Sequence, residues 1–161
     1  MNKTLTLILL FSLLGGLSKI VGGLVYGSRA LFVDALTSIA NFIAVVATIH
    51  FYKLGLKPPD RDHHYGHYKL GYGGPLVSII AYSFVAGVIV VRLSFFEEYH
   101  VEIGAPLLAL LGFIFYGLAI LFARRVGEYF LPYSLFTVSE LIESVVVVFA
   151  SLVGVLYLSL I

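Results

Sequence analysis

Cysteine is absent from this 161-residue chain. That excludes disulfides, thiolate metal sites and thiol redox chemistry. Any metal must be held by His, Asp, Glu, hydroxyl, amide or backbone oxygen, a donor set that favours zinc, iron, manganese or cobalt over copper(I). Charge is scarce as well. Asp, Glu, Lys and Arg make up 12% of the residues, against roughly 25% in a soluble domain. The net charge is +1 and basic runs are lacking, so the charge pattern offers nothing to a nucleic acid. What fills the chain is apolar: hydrophobic residues reach 60% and mean hydropathy is +1.03. This is the composition of an integral membrane protein, with room for one bundle of spans and no soluble domain beside it. The N-terminal apolar run is too long for a signal-peptide core and lacks a small-residue cleavage site, so it reads as a first span.

A helical span takes about 20 mostly apolar residues. Five stretches qualify: Leu5–Tyr26, Ala30–Leu54, Pro75–Phe96, Ile103–Ala123 and Ser134–Ile161. Lipid offers the backbone no hydrogen bonds, so each must be a helix. The fold class is all-α, a polytopic transmembrane helical bundle of about five spans forming one domain over residues 1–161. Lys3, Lys53, Lys57, Arg61, Lys69, Arg124 and Arg125 fall on one side of it. Arg29 and Arg92 fall on the other, with Glu97, Glu98 and Glu102. The positive-inside rule puts the N-terminus and the loop of residues 55–72 in the cytosol of a multi-pass cell-membrane protein. Ile161 then ends on the far side. Gly15, Gly16, Gly22 and Gly23 suit close helix packing. Tyr26, Tyr72, Tyr99 and Tyr129 fall near predicted membrane–water boundaries, where aromatic belts form.

Polar groups inside a span are costly and face a cavity or one another. The second span carries Asp34, Thr37, Ser38 and Asn41 at spacings of three and four, which share one helix face. The fifth carries Ser139, Glu140, Glu143 and Ser144, also on one face. The two stripes are alike: a serine (Ser28, Ser134) precedes an acid (Asp34, Glu140) by six residues, and a polar pair follows three and four later. Weak internal repetition of this kind marks transporters whose site lies where the repeats meet. A plainer role remains open for each residue. Asp34 near a helix start can offset the helix dipole, Ser28 can cap that helix, and Thr37, Ser38 and Asn41 can bond neighbouring helices. Lys19 lies too deep to snorkel easily, so it pairs with an acid such as Asp34 or faces a wet cavity.

Three of the five histidines crowd into one loop with Asp60 and Asp62. Asp60, His63 and His67 are spaced three and four apart, so a turn and a half of helix would bring all three to one side. Two imidazoles and a carboxylate can ligate a zinc-like ion and leave a position open. Pro58-Pro59 stops the preceding helix, and Gly66 lets the chain bend between the imidazoles. An aqueous loop with incidental histidines is the alternative.

The run Pro58-Pro59-Asp60-Arg61-Asp62-His63-His64-Tyr65-Gly66-His67-Tyr68-Lys69, after Gly27-Ser28-Arg29-Ala30-Leu31-Phe32-Val33-Asp34-Ala35-Leu36-Thr37-Ser38, resembles the cation diffusion facilitators. Their hallmark reads roughly G-S-x-A-L-x-x-D-A-x-H/D-x-x-x-D, then P-x-D-x-x-H-x-x-G-H-x-[KR]. The likeness runs ungapped from Gly27 to Lys69, and Ser18-Lys19-Ile20 is similar too. It implies a metal/proton antiporter in the lipid bilayer, usually a homodimer, with zinc the commonest cargo and manganese, iron, cobalt or cadmium in some members. It implies a loop metal site at Asp60, His63 and His67, with Asp62 and His64 outside it. It also implies a midmembrane site. There the second-helix positions fall on Thr37 and Asn41, where the family has His or Asp. The fifth-helix positions fall on Glu143 and Val147, or in another register on Phe136 and Glu140. Asp34 matches a common acid one turn before the first ligand. The resulting donors, Thr37, Asn41 and Glu143 with Asp34 and Glu140 nearby, are all oxygen or amide, and suit a larger or harder cation, or none. The family's sixth helix and soluble domain have no counterpart here, the expectation for a truncated or a diverged chain.

Two functions compete. One is export of a divalent ion, zinc-like first, from the cytosol against protons. The other is a non-transporting metal-binding relative or regulatory subunit. A structural bundle without ligand is a third. None involves covalent chemistry, so the chain is not expected to be an enzyme. Because no native cysteine interferes, the orientation is open to single-cysteine labelling. A His64→Cys variant is expected to react with an impermeant maleimide in inside-out vesicles only; labelling in right-side-out vesicles reverses the assignment.

Overall fold

The computed structural model describes residues 3–95 and 102–158. Glu97, Glu98 and Tyr99, with the last residues of the third and fifth apolar runs, lie outside them. The elements are helices α1 (Lys3–Val25), α2 (Arg29–Gly55), α3 (Gly73–Leu93), α4 (Gly104–Ala123) and α5 (Leu131–Leu158). Each is long and apolar enough to cross a bilayer. No strand occurs among the described residues, as lipid requires of a chain that does not close a barrel.

Local chemistry sets the ends. Gly27 takes a φ of 65° in the turn between α1 and α2, a conformation that suits glycine. The Ser28 hydroxyl then accepts the Leu31 N–H, capping α2 as its sequence position suggested. Pro75, Pro106 and Pro132 all sit in the first turns of their helices, where a missing N–H costs nothing. α3 and α5 begin two to three residues earlier than their apolar runs, because 3-10 turns at Tyr68–Tyr72 and Glu128–Phe130 lead directly into them.

α1, α2, α5 and α4 close into a four-helix ring, each packed on the next, so α1 and α5 are diagonal partners, as are α2 and α4. α3 lies outside this ring against α2, with only slight contact to α5. Most of its large apolar residues, such as Ile80, Phe84 and Val90, are exposed where lipid would lie. Connectivity puts Lys3, the loop after α2, and Arg124 and Arg125 at one end of the bundle; Arg29 and Glu102 are at the other. Tyr72 and Tyr129 meet at the first end with ring centroids 5.5 Å apart.

α2 and α5 run antiparallel in a register readable from their polar pairs. Ser28 meets Ser151 at 3.2 Å, Thr37 meets Glu143 at 3.3 Å, Ser38 meets Glu140 at 3.2 Å, and Asn41 meets Thr137 at 3.4 Å. Small residues let α1 lie close to its neighbours, as lipid gives helices no hydrophobic drive to associate. A methyl on Gly23 would stand 2.8 Å from the Phe32 Cα of α2, and one on Gly15 would stand 3.1 Å from the Tyr116 ring of α4.

Gly23→Val should therefore lower the melting temperature in detergent, since overpacking of this kind costs about 1–3 kcal/mol. Gly117, with nothing near its missing Cβ, is the control: Gly117→Ala should leave stability unchanged or raise it. Equal losses in both would mean that the α1–α2 crossing is not as close as described.

Candidate metal sites

Lys19 is fully buried in the centre of the ring. Its Nζ donates to Asp34 Oδ1 at 2.6 Å and to Glu140 Oε2 at 3.0 Å. The same ammonium lies over the Tyr116 ring, 4.7 Å from its centroid. One side chain from α1 thus touches α2, α5 and α4. Pairing, the first of the two outcomes expected for Lys19, is what occurs, and it extends to a second acid. The Ser38 hydroxyl adds a donor, shared between the Asp34 carbonyl at 2.9 Å and Glu140 Oε2 at 3.2 Å. Asp34 Oδ2 and Glu140 Oε1 are buried without a hydrogen-bond partner among the described residues.

Beside the triad, a groove of about 370 Å³ opens between α2, α3 and α5. Asp34, Thr37 and Glu143 supply its polar lining, and Ile89, Ile142 and Val146 are among its apolar walls. The Thr37 hydroxyl is shared between the Asp34 carbonyl at 2.8 Å and Glu143 Oε2 at 3.3 Å. Glu143 is half-buried, so its carboxylate is both anchored and reachable.

The five midmembrane candidates are therefore divided. Asp34, Thr37 and Glu143 share the groove. Glu140 lies behind it, joined to Asp34 through Lys19. Asn41 is not on the groove: it is fully buried and accepts from Thr137 Oγ1, its own Nδ2 without a partner among the described residues. The cause is position along the helix: Asn41 stands one turn beyond Thr37, past the end of the groove's lining, where it meets Thr137 of α5. Val147, paired with Glu143 in the first of the two fifth-helix registers, lines the groove with a side chain that cannot ligate. The two repeated stripes do meet: their acids, Asp34 and Glu140, converge on one ammonium from antiparallel helices. The link of Glu140 to Lys19 was not read from the sequence. The available signal was a lone mid-span cation facing spans that carry unpaired acids.

The loop brings Asp60, His63 and His67 together. One ligand atom from each lies within 4.8 Å of the others. It does so without the helix that their spacing allowed: residues 57–67 form turns. Pro58-Pro59 bars a helix, and Asp60 Oδ1 accepts the N–H of Asp62 at 3.1 Å and of His63 at 2.8 Å, tying a tight turn. Gly66 takes a φ of 79°, returning the chain so that His67 folds back over the turn. His67 is mostly buried. Its Nδ1–H donates to the Pro58 carbonyl at 3.1 Å, which leaves Nε2 as the acceptor nitrogen, 3.3 Å from Asp60 Oδ2. An outer partner that sets the ring and tautomer is typical of imidazole ligands. His63 Nδ1 lies 3.1 Å from Asp60 Oδ1. Asp62 and His64 stay outside the cluster. Two imidazoles and one carboxylate here leave positions open for water or cargo.

Residues 5–160 match the family model of the cation efflux transmembrane domain. An uncharacterized transporter of Methanocaldococcus jannaschii is 39% identical over 66 residues, 41% of this chain and 23% of the relative. Two manganese efflux system proteins of Bacillus subtilis are similar. MneS is 35% identical over 77 residues, 48% of this chain and 25% of its own length; MneP is 35% identical over 68 residues, 42% and 23%. The matched stretch is about a quarter of each relative's length.

The Asp60 carboxyl is exposed, and the His63 N–H above all holds it below the usual carboxylate range. A lowered value means that the turn gains stability above the ordinary range and loses it as the pH falls through the lowered value. The His63 amide should therefore be protected from hydrogen exchange at neutral pH and lose that protection well below pH ~4. Protection that survives Asp60→Ala would remove the carboxylate from the turn.

Proposed function

The chain belongs to the cation efflux family, and from that premise we propose that it carries a hard divalent metal ion, manganese before zinc, out of the cytosol in exchange for protons. The observation that carries the reading is the groove. Two carboxylates and a hydroxyl from two antiparallel helices line one opening within the membrane-spanning part of the bundle. All three donors are oxygen, which suits manganese or magnesium-like ions better than thiophilic ones. The names of the two Bacillus subtilis relatives point the same way.

The work divides between two sites. The loop cluster at the basic end captures the ion with Asp60, His63 and His67, sharing its hydration shell with open positions. The positive-inside rule makes that end cytosolic. Asp34, Thr37 and Glu143 then hold the ion within the membrane. A carboxylate that gives up its metal within the membrane-spanning part of the bundle is left with an uncompensated charge, which a proton from the far side neutralises. That exchange supplies the coupling. The cycle makes and breaks no covalent bond, so the protein is a carrier and not an enzyme. The exposed face of α3 leaves room for the second copy of a homodimer.

One observation favours a non-transporting metal-binding relative. Asn41, at a position where the resemblance implies a ligand, is sealed against Thr137. Reconstitution separates the two readings. Proteoliposomes loaded with a pH dye should show Mn²⁺-dependent proton movement. Glu143→Gln together with Thr37→Val should slow it by about tenfold or more, the scale of a lost charged ligand. Flux untouched by that pair would discard the groove, and Mn²⁺ binding without any flux would leave the non-transporting role.

A further inference from the structure

The groove reading leaves Lys19 unexplained. A transporter of cations has a buried cation at the back of its candidate site, 2.6 Å from a carboxylate that lines it. A packing residue would fill that space without the cost of burying an ammonium inside a membrane-spanning bundle. The protein also makes room for it: a methyl on Gly112 of α4 would stand 2.9 Å from Lys19 Cγ.

Formal charge gives the ammonium a purpose. Three carboxylates gather at this depth: Asp34, Glu140 and Glu143. Asp34 and Glu140 each give Lys19 one oxygen and keep the other, Oδ2 and Oε1, buried and without a partner among the described residues. Asp34 is 2% exposed and lines the groove. Its second oxygen is a buried acceptor without a partner among the described residues, on a side chain that borders the groove. Three negative charges and one positive leave two negative, which one divalent ion neutralises.

We propose that Lys19 is the resident cation of the membrane site, a positioning residue that sets the site's charge for one divalent ion and holds Asp34 with one oxygen free to ligate it. This rests on the groove being a metal site. The ion's charge class then follows from a residue that never touches it. Removing the ammonium over-charges the site, and a divalent ion binds more tightly but leaves less readily. Removing one acid under-charges it, and binding weakens.

The test uses the whole chain in nanodiscs, with the loop site blocked by His63→Ala/His67→Ala, and reads bound Mn²⁺ by electron paramagnetic resonance. On that background Lys19→Met should tighten Mn²⁺ binding by about tenfold or more, and Glu140→Gln should weaken it by a similar factor, as expected for one charge at close range in a poorly polar site. The pair Lys19→Met/Glu140→Gln restores the charge balance and should return to within about threefold of the parent. Lys19→Arg keeps the charge and should stay parent-like. A purely structural Lys19 would leave Lys19→Met less stable without tightening Mn²⁺ binding, since the loss of a packing partner offers the ion nothing. Unchanged binding in both single variants, a double variant that fails to return, or no Mn²⁺ bound in the loop-blocked parent each overturns the assignment. If Lys19→Met does not fold, the near-isosteric Glu140→Gln and the Lys19→Arg variant decide it alone. Flux is scored separately. Binding that follows this pattern without flux overturns transport and leaves the assignment standing. Flux without membrane-site binding does the reverse.

Discussion

A single ammonium in a place without water is the constraint on which the bundle depends. Lys19 cannot reach the interface from the middle of the ring, so the surroundings must compensate it. They do so from three sides: Asp34 on α2, Glu140 on α5 and the face of Tyr116 on α4. Removing one partner of such a buried pair typically costs about 3–5 kcal/mol, while replacing the whole set with matched apolar groups can be neutral. Stability alone does not call for the triad. What it does impose is register: α1, α2, α4 and α5 must all arrive with the correct faces inward for the charge to be met.

The small residues follow from the same requirement. Gly112 gives the lysine stem its passage, and Gly15 lets the Tyr116 ring come in against α1. Ser38 adds a donor where the two acids converge. α3 contributes nothing to the triad and packs outside the ring. It still forms one wall of the groove through Ile89. The groove thus has a charged back wall fixed by four tightly packed helices and a front wall on a helix held mainly by α2.

The two candidate sites differ in chemistry because they differ in solvent. The loop uses imidazole and an exposed carboxylate, groups that water can rehydrate between ions. Its geometry comes from a proline pair, an Asp-capped turn and a glycine. The membrane site uses oxygen alone and must balance its charge internally. A cargo passing from one to the other would exchange a borderline set of ligands for a hard one, a change that favours ions content with oxygen.

Much of this was legible in sequence. Apolar runs of span length, with lipid unable to satisfy a free backbone, determined five helices. The spacing of Asp60, His63 and His67, and the motif around them, marked the loop cluster. The stripes on α2 and α5 identified which faces would meet. Helical spacing could not say at what height along the bundle each residue meets the neighbouring helix. That is why Asn41, sharing a stripe with Thr37, ends against Thr137 while Thr37 reaches Glu143. It also could not foresee that Asp60 to His67 would converge through a turn instead of a helix, because that depends on which backbone N–H groups the carboxylate captures. Sequence alone determined a five-span bundle with acids and one lysine inside it. Only the tertiary structure decided that the lysine joins Asp34 and Glu140 and leaves Glu143 to Thr37 and the groove, because the partners of a buried charge are set by the helix–helix register, which hydropathy does not encode.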